Sequence, residues 1–292
     1  MTDASPKQLR AGGPRRDDEP LLRRRTLAVV KRLNRSIVRV PRDRRRTVLI
    51  FGCQRSGTTM LQQTFLDRSW RVLIVEEHDR RLVGAHPDPG ATDWQDYPTV
   101  MGRLRRIPFE VVAAKPLVES DRAVELMEAA VPVKAVWMLR HYRGVAQSSL
   151  RRFGEENSFE DLRPLRDDNS SDWRCRGASR DTRQTVIELM NEGLTSLDAA
   201  ALFWWVRNQL YFKQQLWSDE RIRIVRYERA CNSSEEVAEA LADYIEIPLP
   251  QHSIATRVRP EPDDGRGMGD LNPDVERLCR KMWDSFAGCP EL

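Results

Sequence analysis

The stretch "TVLIFGCQRSGTTM", residues 47–60, decides the fold. A short β-branched and apolar run, 47–51, ends against Gly52. Gly57 follows after four intervening residues, and two hydroxyls, Thr58 and Thr59, come next. A strand, a glycine loop and a helix in that order point backbone N–H groups at one spot and add the partial positive charge of a helix N-terminus, so an anion is the natural occupant. A nucleotide triphosphatase loop of this spacing carries Lys after the second glycine. Here that position is Thr58, and the positive charge sits at Arg55, inside the loop. Arg55 can grip an oxyanion with a bidentate fork, and the threonine hydroxyls can donate to the same oxygens. Read without a ligand, the same residues make a glycine turn with helix-capping threonines.

Outward from the loop, the chain alternates strand and helix. Residues 58–67 read as a helix with Leu61 and Phe65 on one face. "RVLIV" (71–75), "FEVVAA" (109–114), "VKAVWML" (133–139) and "RIRIVRY" (221–227) read as strands. The 133–139 run, apolar apart from Lys134, suits a parallel strand covered on both sides. Helices are expected at 121–130, from 143 to 153, at 196–216 and at 233–245, the last with Ser caps and acidic residues in its first turn. Asn272 and Pro273 open a final helix, with Gly288 beyond its end. This alternation predicts an α/β fold, a parallel β-sheet flanked by helices. Residues 154–184 are polar and read as a long irregular insertion, a lid or binding loop. Residues 256–271 read as a Pro/Gly loop.

The 292 residues suffice for one large α/β domain, expected over 47–292. No apolar run approaches the ~20 residues of a membrane span, and no signal-peptide core is expected at the N-terminus. Five scattered cysteines, with no CxxC pair and no His at zinc-ligand spacing, read as free thiols in a reducing, cytoplasmic setting. The net charge of +4 hides an asymmetry: residues 1–46 hold 15 Lys/Arg against 5 Asp/Glu, the remainder 33 against 39. A mildly acidic body argues against a broad nucleic-acid face on it. The basic arm, 1–46, reads as partly disordered. Leu22, Val29, Val30, Leu33 and Ile37 stand at helical spacing among Arg and Lys, a pattern suited to an anionic membrane, a partner, or the domain's own back face.

The fourth strand discriminates further. A P-loop kinase or ATPase usually ends a strand near the loop in Asp, which helps hold Mg²⁺. This strand ends in Arg140, and Ser148 lies eight residues on. A cation where a metal-holding anion belongs suits a ligand that brings its own fixed anionic groups and no metal.

Together, "QRSGTTML", "VWMLRHYRGVAQSS" and "RIVRYERA" resemble the sulfotransferases that use 3′-phosphoadenosine 5′-phosphosulfate (PAPS), over about residues 47–270 apart from the insertion. The resemblance implies their P-loop-like fold. It also implies a cofactor site of Arg55, Ser56, Gly57, Thr58 and Thr59 around the 5′-phosphosulfate, and Arg140 with Ser148 on the 3′-phosphate. "DDGRGMGDLN" (263–272) partly matches the family's C-terminal glycine loop over that phosphate, through Arg266 and Gly267, with one basic residue and one spacer missing. Phenol-type members carry a His after the third strand where this chain has Leu117, although Lys115 matches the Lys before it. Carbohydrate-type members use a Glu after the second strand, where "EEH" supplies Glu77 as the favoured general base, then Glu76, then His78. Glu76 and Glu77 alternate in an extended segment, so at most one enters the site. Lys115 would be a second cation near the transferred group. Trp204 and Trp205 read chiefly as core, and Tyr227–Glu228 as a structural hydrogen-bonding pair.

The resemblance thus implies sulfuryl transfer to a hydroxyl or amine of a glycan, lipid or small molecule, with no metal and no nucleic-acid partner. Two other readings stay open on the residues: a P-loop-type nucleotide or small-molecule kinase, and an inactive nucleotide-binding adaptor docked through its basic arm. The lack of Lys at 58 and of Asp at 140 counts against the kinase.

Overall fold

The structure, a computed structural model, describes residues 40–76, 79, 96–258 and 270–292. Five parallel strands form one sheet: β1 (Arg46–Gly52), β2 (Val72–Val75), β3 (Val111–Ala114), β4 (Val133–Leu139) and β5 (Ile222–Arg226), in the order β2-β3-β1-β4-β5. β1 sits at the centre, with Leu49 beside Ala114 of β3 and beside Ala135 of β4.

Strand side chains alternate between two faces, and both faces are apolar. Leu49, Phe51, Ala135, Trp137 and Leu139 belong to one core cluster, and Val48, Ile50, Val136 and Met138 to the other. Eleven α-helices complete the described chain. They are α1 (Thr58–Met60), α2 (Tyr97–Arg106), α3 (Ala123–Ala129), α4 (Tyr142–Phe153), α5 (Glu156–Arg166), α6 (Arg180–Asn191), α7 (Ser196–Lys213), α8 (Tyr227–Asn232), α9 (Ser234–Ile245), α10 (Gln251–Ala255) and α11 (Pro273–Ser285). The first core holds residues of α2–α7 and α11, such as Met101, Leu126, Trp204 and Val275. The second holds Leu61, Phe65, Val237, Leu241 and Ile245. The layers are therefore helix, sheet, helix, the predicted architecture. Among the described residues, no helix is long and apolar enough to cross a membrane.

The expected helix at 58–67 exists but is irregular. α1 runs into a π-helical turn (Leu61–Phe65) and then a 3₁₀ turn (Leu66–Arg68). Such π-turns occur often beside functional sites. β2, β3 and β5 are one or two residues shorter than predicted, β4 matches and β1 extends one residue further at each end; Tyr227 opens α8 instead of closing β5. Asn272 caps α11 as expected, its side chain accepting from the Asp274 N–H at 2.9 Å. Ser233 precedes α9 without a capping side-chain bond, contrary to expectation.

The largest departure lies in the 154–184 insertion. It is helical over α5 and at the start of α6, and the chain between them is docked. Leu162 and Leu165 of α5 are fully buried. Arg176 donates to the Val118 carbonyl at 3.0 Å and pairs with Asp121 at 3.4 Å and with the buried Glu119 at 3.5 Å. The buried Arg207 of α7 donates to the carbonyls of Trp173 (2.9 Å) and Leu117 (3.1 Å).

Candidate functional site

The connections leaving the central strand diverge. The chain after β1 enters the helix on one face of the sheet, whereas α3 and α4, which follow β3 and β4, lie on the other. A crevice opens where adjacent connections part, outside the carboxyl ends of the strands, and ligands of open α/β sheets bind there. Arg55, Lys115 and Arg140 stand just past the ends of β1, β3 and β4, so the topology brings all three to this crevice.

The loop is shaped by two left-handed residues. Gly57 has φ 92°, and a Cβ there would lie 2.3 Å from the Tyr227 ring, so the position admits no side chain. Arg55 has φ 67°, a conformation that costs a non-glycine residue of order 1 kcal/mol. Ser56 is fully buried, and its hydroxyl finds no hydrogen-bond partner. A buried hydroxyl without a partner is unfavourable, and at a loop of converging N–H groups it marks a place where a ligand oxygen fits. Thr58 is buried and Thr59 exposed. Lys115 reaches the Thr59 hydroxyl, Nζ to Oγ1 3.3 Å.

Arg140 is 6% exposed and lies against the loop, its Nη1 3.4 Å from the Arg55 carbonyl. Arg55 Nε donates to the Ser148 hydroxyl at 3.2 Å. Loop arginine, strand-end arginine and helix serine, predicted from two separate stretches, thus form one cluster. Burial, together with the neighbouring Arg152 and Arg140, lowers the Arg55 pKa from its ordinary value. Like charges held this close favour an anion among them.

Several supports for Arg140 were not legible as such. Its guanidinium lies 4.1 Å from the Tyr227 ring centroid, while Gly57 packs on the same tyrosine. A Cβ at Gly144 would lie 2.9 Å from Arg140 Nε. Gly57, the Tyr227 ring, the Arg140 guanidinium and Gly144 therefore stack in sequence. Trp204, fully buried, donates its indole N–H to the Arg140 carbonyl at 3.0 Å, a core tryptophan that also fixes the strand end. Glu228 accepts from the His141 N–H at 2.8 Å, the structural hydrogen bond expected of the Tyr–Glu pair. Tyr227 itself serves Arg140 through its ring. Spacing alone gave no signal for this, because the stack joins four elements. Ser120, likewise unflagged, accepts from the Gly52 N–H at 3.3 Å and supports the loop from below.

Cys53 lies within the loop but is fully buried, and burial pushes its thiol up to about 12, so it stays protonated and inert. Glu76 is exposed at the carboxyl end of β2, the strand beside β3, on the same pole as Lys115. Glu77, His78, Arg266 and Gly267 lie outside the described residues, as do residues 1–39 of the basic arm. Among the described residues, no group of three or more His, Cys, Asp and Glu stands together as a metal site, and all five cysteines are free.

No family model and no curated protein sequence matches the chain. The solved structures similar in chain path include two sulfotransferases. A sulfotransferase from Alicyclobacillus acidocaldarius shares 14% identity at a TM-score of 0.45, covering 83% of this chain and 93% of its own. The sulfotransferase domain from the curacin biosynthetic pathway shares 14% identity at a TM-score of 0.46, covering 82% and 98%.

Proposed function

We propose that this crevice binds PAPS and that the protein transfers its sulfuryl group to a hydroxyl or amine of a glycan, lipid or small molecule. One observation carries the reading: two arginines, Arg55 and Arg140, meet at a glycine loop, where a Mg²⁺-dependent nucleotide enzyme would set a lysine and a carboxylate. The fit is supported by the Ser56 hydroxyl, buried without a partner, and by the charge crowding around Arg55. When bound, the cofactor would supply an activated sulfuryl group on a phosphate leaving group.

The chain's own residues would divide the work. The N–H groups of 57–59 and the hydroxyls of Ser56, Thr58 and Thr59 would hold the 5′ anion. Arg55 and Lys115 would offset charge growing on the leaving oxygen, a pre-organised electrostatic contribution that needs no proton movement. Arg140 and Ser148 would hold the 3′-phosphate, with Arg266 and Gly267 closing over it. A Glu after β2, Glu77 foremost and Glu76 next, would take the acceptor proton.

Thermal stabilisation separates this from the kinase reading. The 3′,5′-adenosine bisphosphate should raise Tm without Mg²⁺, and ATP should not do so even with Mg²⁺. The reverse pattern would sink the proposal. For the base, Glu77→Gln should lower kcat by at least ~100-fold while leaving bisphosphate affinity unchanged. If Glu76→Gln shows that loss instead, the role passes to Glu76.

A further inference from the structure

We propose that the pole of the sheet opposite the candidate site docks on an anionic phospholipid surface. In a parallel sheet, every stretch that leads into a strand lies at the same, amino end. The stretches before β2, β3 and β1 are also neighbours there, because those strands are adjacent in the sheet. These stretches, 68–71, 103–110 and 41–46, hold nine arginines against two acids, Asp43 and Glu110. Arg42, Arg44, Arg103, Arg105 and Arg106 are all exposed. Glu110 is engaged by Arg71 at 3.2 Å, and Glu246, at the end of α9, pairs with Arg46. Arg45 clips the face together, donating to the Val40 carbonyl at 2.9 Å and to the Arg105 carbonyl at 3.1 Å.

An aromatic accompanies the charge. Trp70 is 41% exposed, with the Arg71 guanidinium 5.1 Å from its ring. Arginines beside an exposed tryptophan match a headgroup layer, with phosphates for the guanidiniums and an apolar boundary for the indole. The face is one-sided: the stretch before β5 carries Asp219 and Glu220 beside Arg221. Residues 1–39 join the chain at Val40, on this pole, and their sequence holds eleven Lys/Arg against four Asp/Glu. Apolar Leu22, Val29, Val30, Leu33 and Ile37 lie among those cations. A lipid boundary can bury such groups and a nucleic-acid backbone cannot, which favours a membrane over a nucleic acid. The candidate site lies at the far end of the seven-residue β1, about 20 Å away. Docking would leave it facing water.

The test uses the full chain and vesicles of phosphatidylcholine with or without phosphatidylglycerol. Wild type should co-sediment with the phosphatidylglycerol vesicles alone, and NaCl should release it. R42E/R44E/R106E should weaken that partition at least ~10-fold with Tm unchanged. Should the triple variant unfold, R42E and R103E made singly should each weaken it ~3-fold or more. Brominated lipid should quench tryptophan fluorescence in wild type and quench it less in W70F. The proposal is overturned if wild type does not bind, if these charge reversals leave binding intact, or if duplex DNA binds as tightly as the vesicles at equal salt.

Discussion

Arg140 is where the site is most sharply tested at the scale of single residues. A guanidinium that meets a phosphate makes charge-assisted hydrogen bonds, each far stronger than a neutral one. On the proposed reading, Arg140→Ala should weaken the 3′,5′-bisphosphate ~10–100-fold by calorimetry, yet change adenosine 5′-phosphate affinity less than about threefold. Equal losses for the two ligands would remove Arg140 from the 3′-phosphate. The Tyr227 stack makes a second, separable claim. A cation over an aromatic face contributes about 0.5–2 kcal/mol. Tyr227→Leu should therefore cost a few-fold to tenfold in bisphosphate affinity, with Tyr227→Phe retaining most of it because the face remains. If both variants lose affinity equally, the phenol hydroxyl and not the ring is what matters. Sequence spacing legibly paired Arg140 with Ser148, but the partner that completes the arrangement is Arg55, whose Nε reaches Ser148 from another strand's loop. That contact depends on how β1 and β4 sit side by side, which no local pattern encodes.

Among the elements, strands were the most legible and the 154–184 stretch the least. "VKAVWML" was readable to the residue because a run that is apolar apart from Lys134 and buried on both faces has little freedom to end elsewhere. α5 was hidden by its composition. Its sequence is charge-rich, and Pro164 sits inside the helix, where a proline normally argues for a break. It persists because tertiary packing outweighs propensity, with Leu162 and Leu165 buried in the core. The short α2 was missed for a related reason: Pro98 in its first turn is a good helix starter but also reads as a loop residue. The segment between α5 and α6 is held by Arg176, whose partner Glu119 is fully buried and also accepts from the Tyr97 hydroxyl. Removing one member of a buried pair leaves a charge uncompensated, at about 3 kcal/mol. Arg176→Ala should lower urea-unfolding stability by about that amount and open residues 167–179 to limited proteolysis. A variant as protease-resistant as wild type would show that the segment is held by other contacts, such as Arg207 to Trp173.

For the whole molecule, the parallel sheet keeps the two proposed faces apart. β1 and β3 run from the arginine-rich face at their amino ends to the crevice at their carboxyl ends, so the proposed chemistry and the proposed docking lie on opposite poles. Such a crevice carries a stability cost in the absence of ligand. Arg55 is held in a left-handed conformation, partly buried, beside Arg140 and Arg152, and each of these terms opposes folding without an anion. Sites of this kind commonly trade stability for function. Asn tolerates the left-handed region better than Arg and carries no charge. Arg55→Asn should therefore leave the ligand-free protein at least as heat-stable as wild type, despite losing the bond to Ser148. Bisphosphate at about 100 times its wild-type Kd stabilises wild type by ~2.7 kcal/mol through mass action, and the variant should gain less than half of that. The two readouts must move in opposite senses in one thermal-shift experiment. A variant that melts lower without ligand, yet is stabilised as much as wild type by the bisphosphate, would mean that Arg55 supports the fold and takes no part in holding the anion.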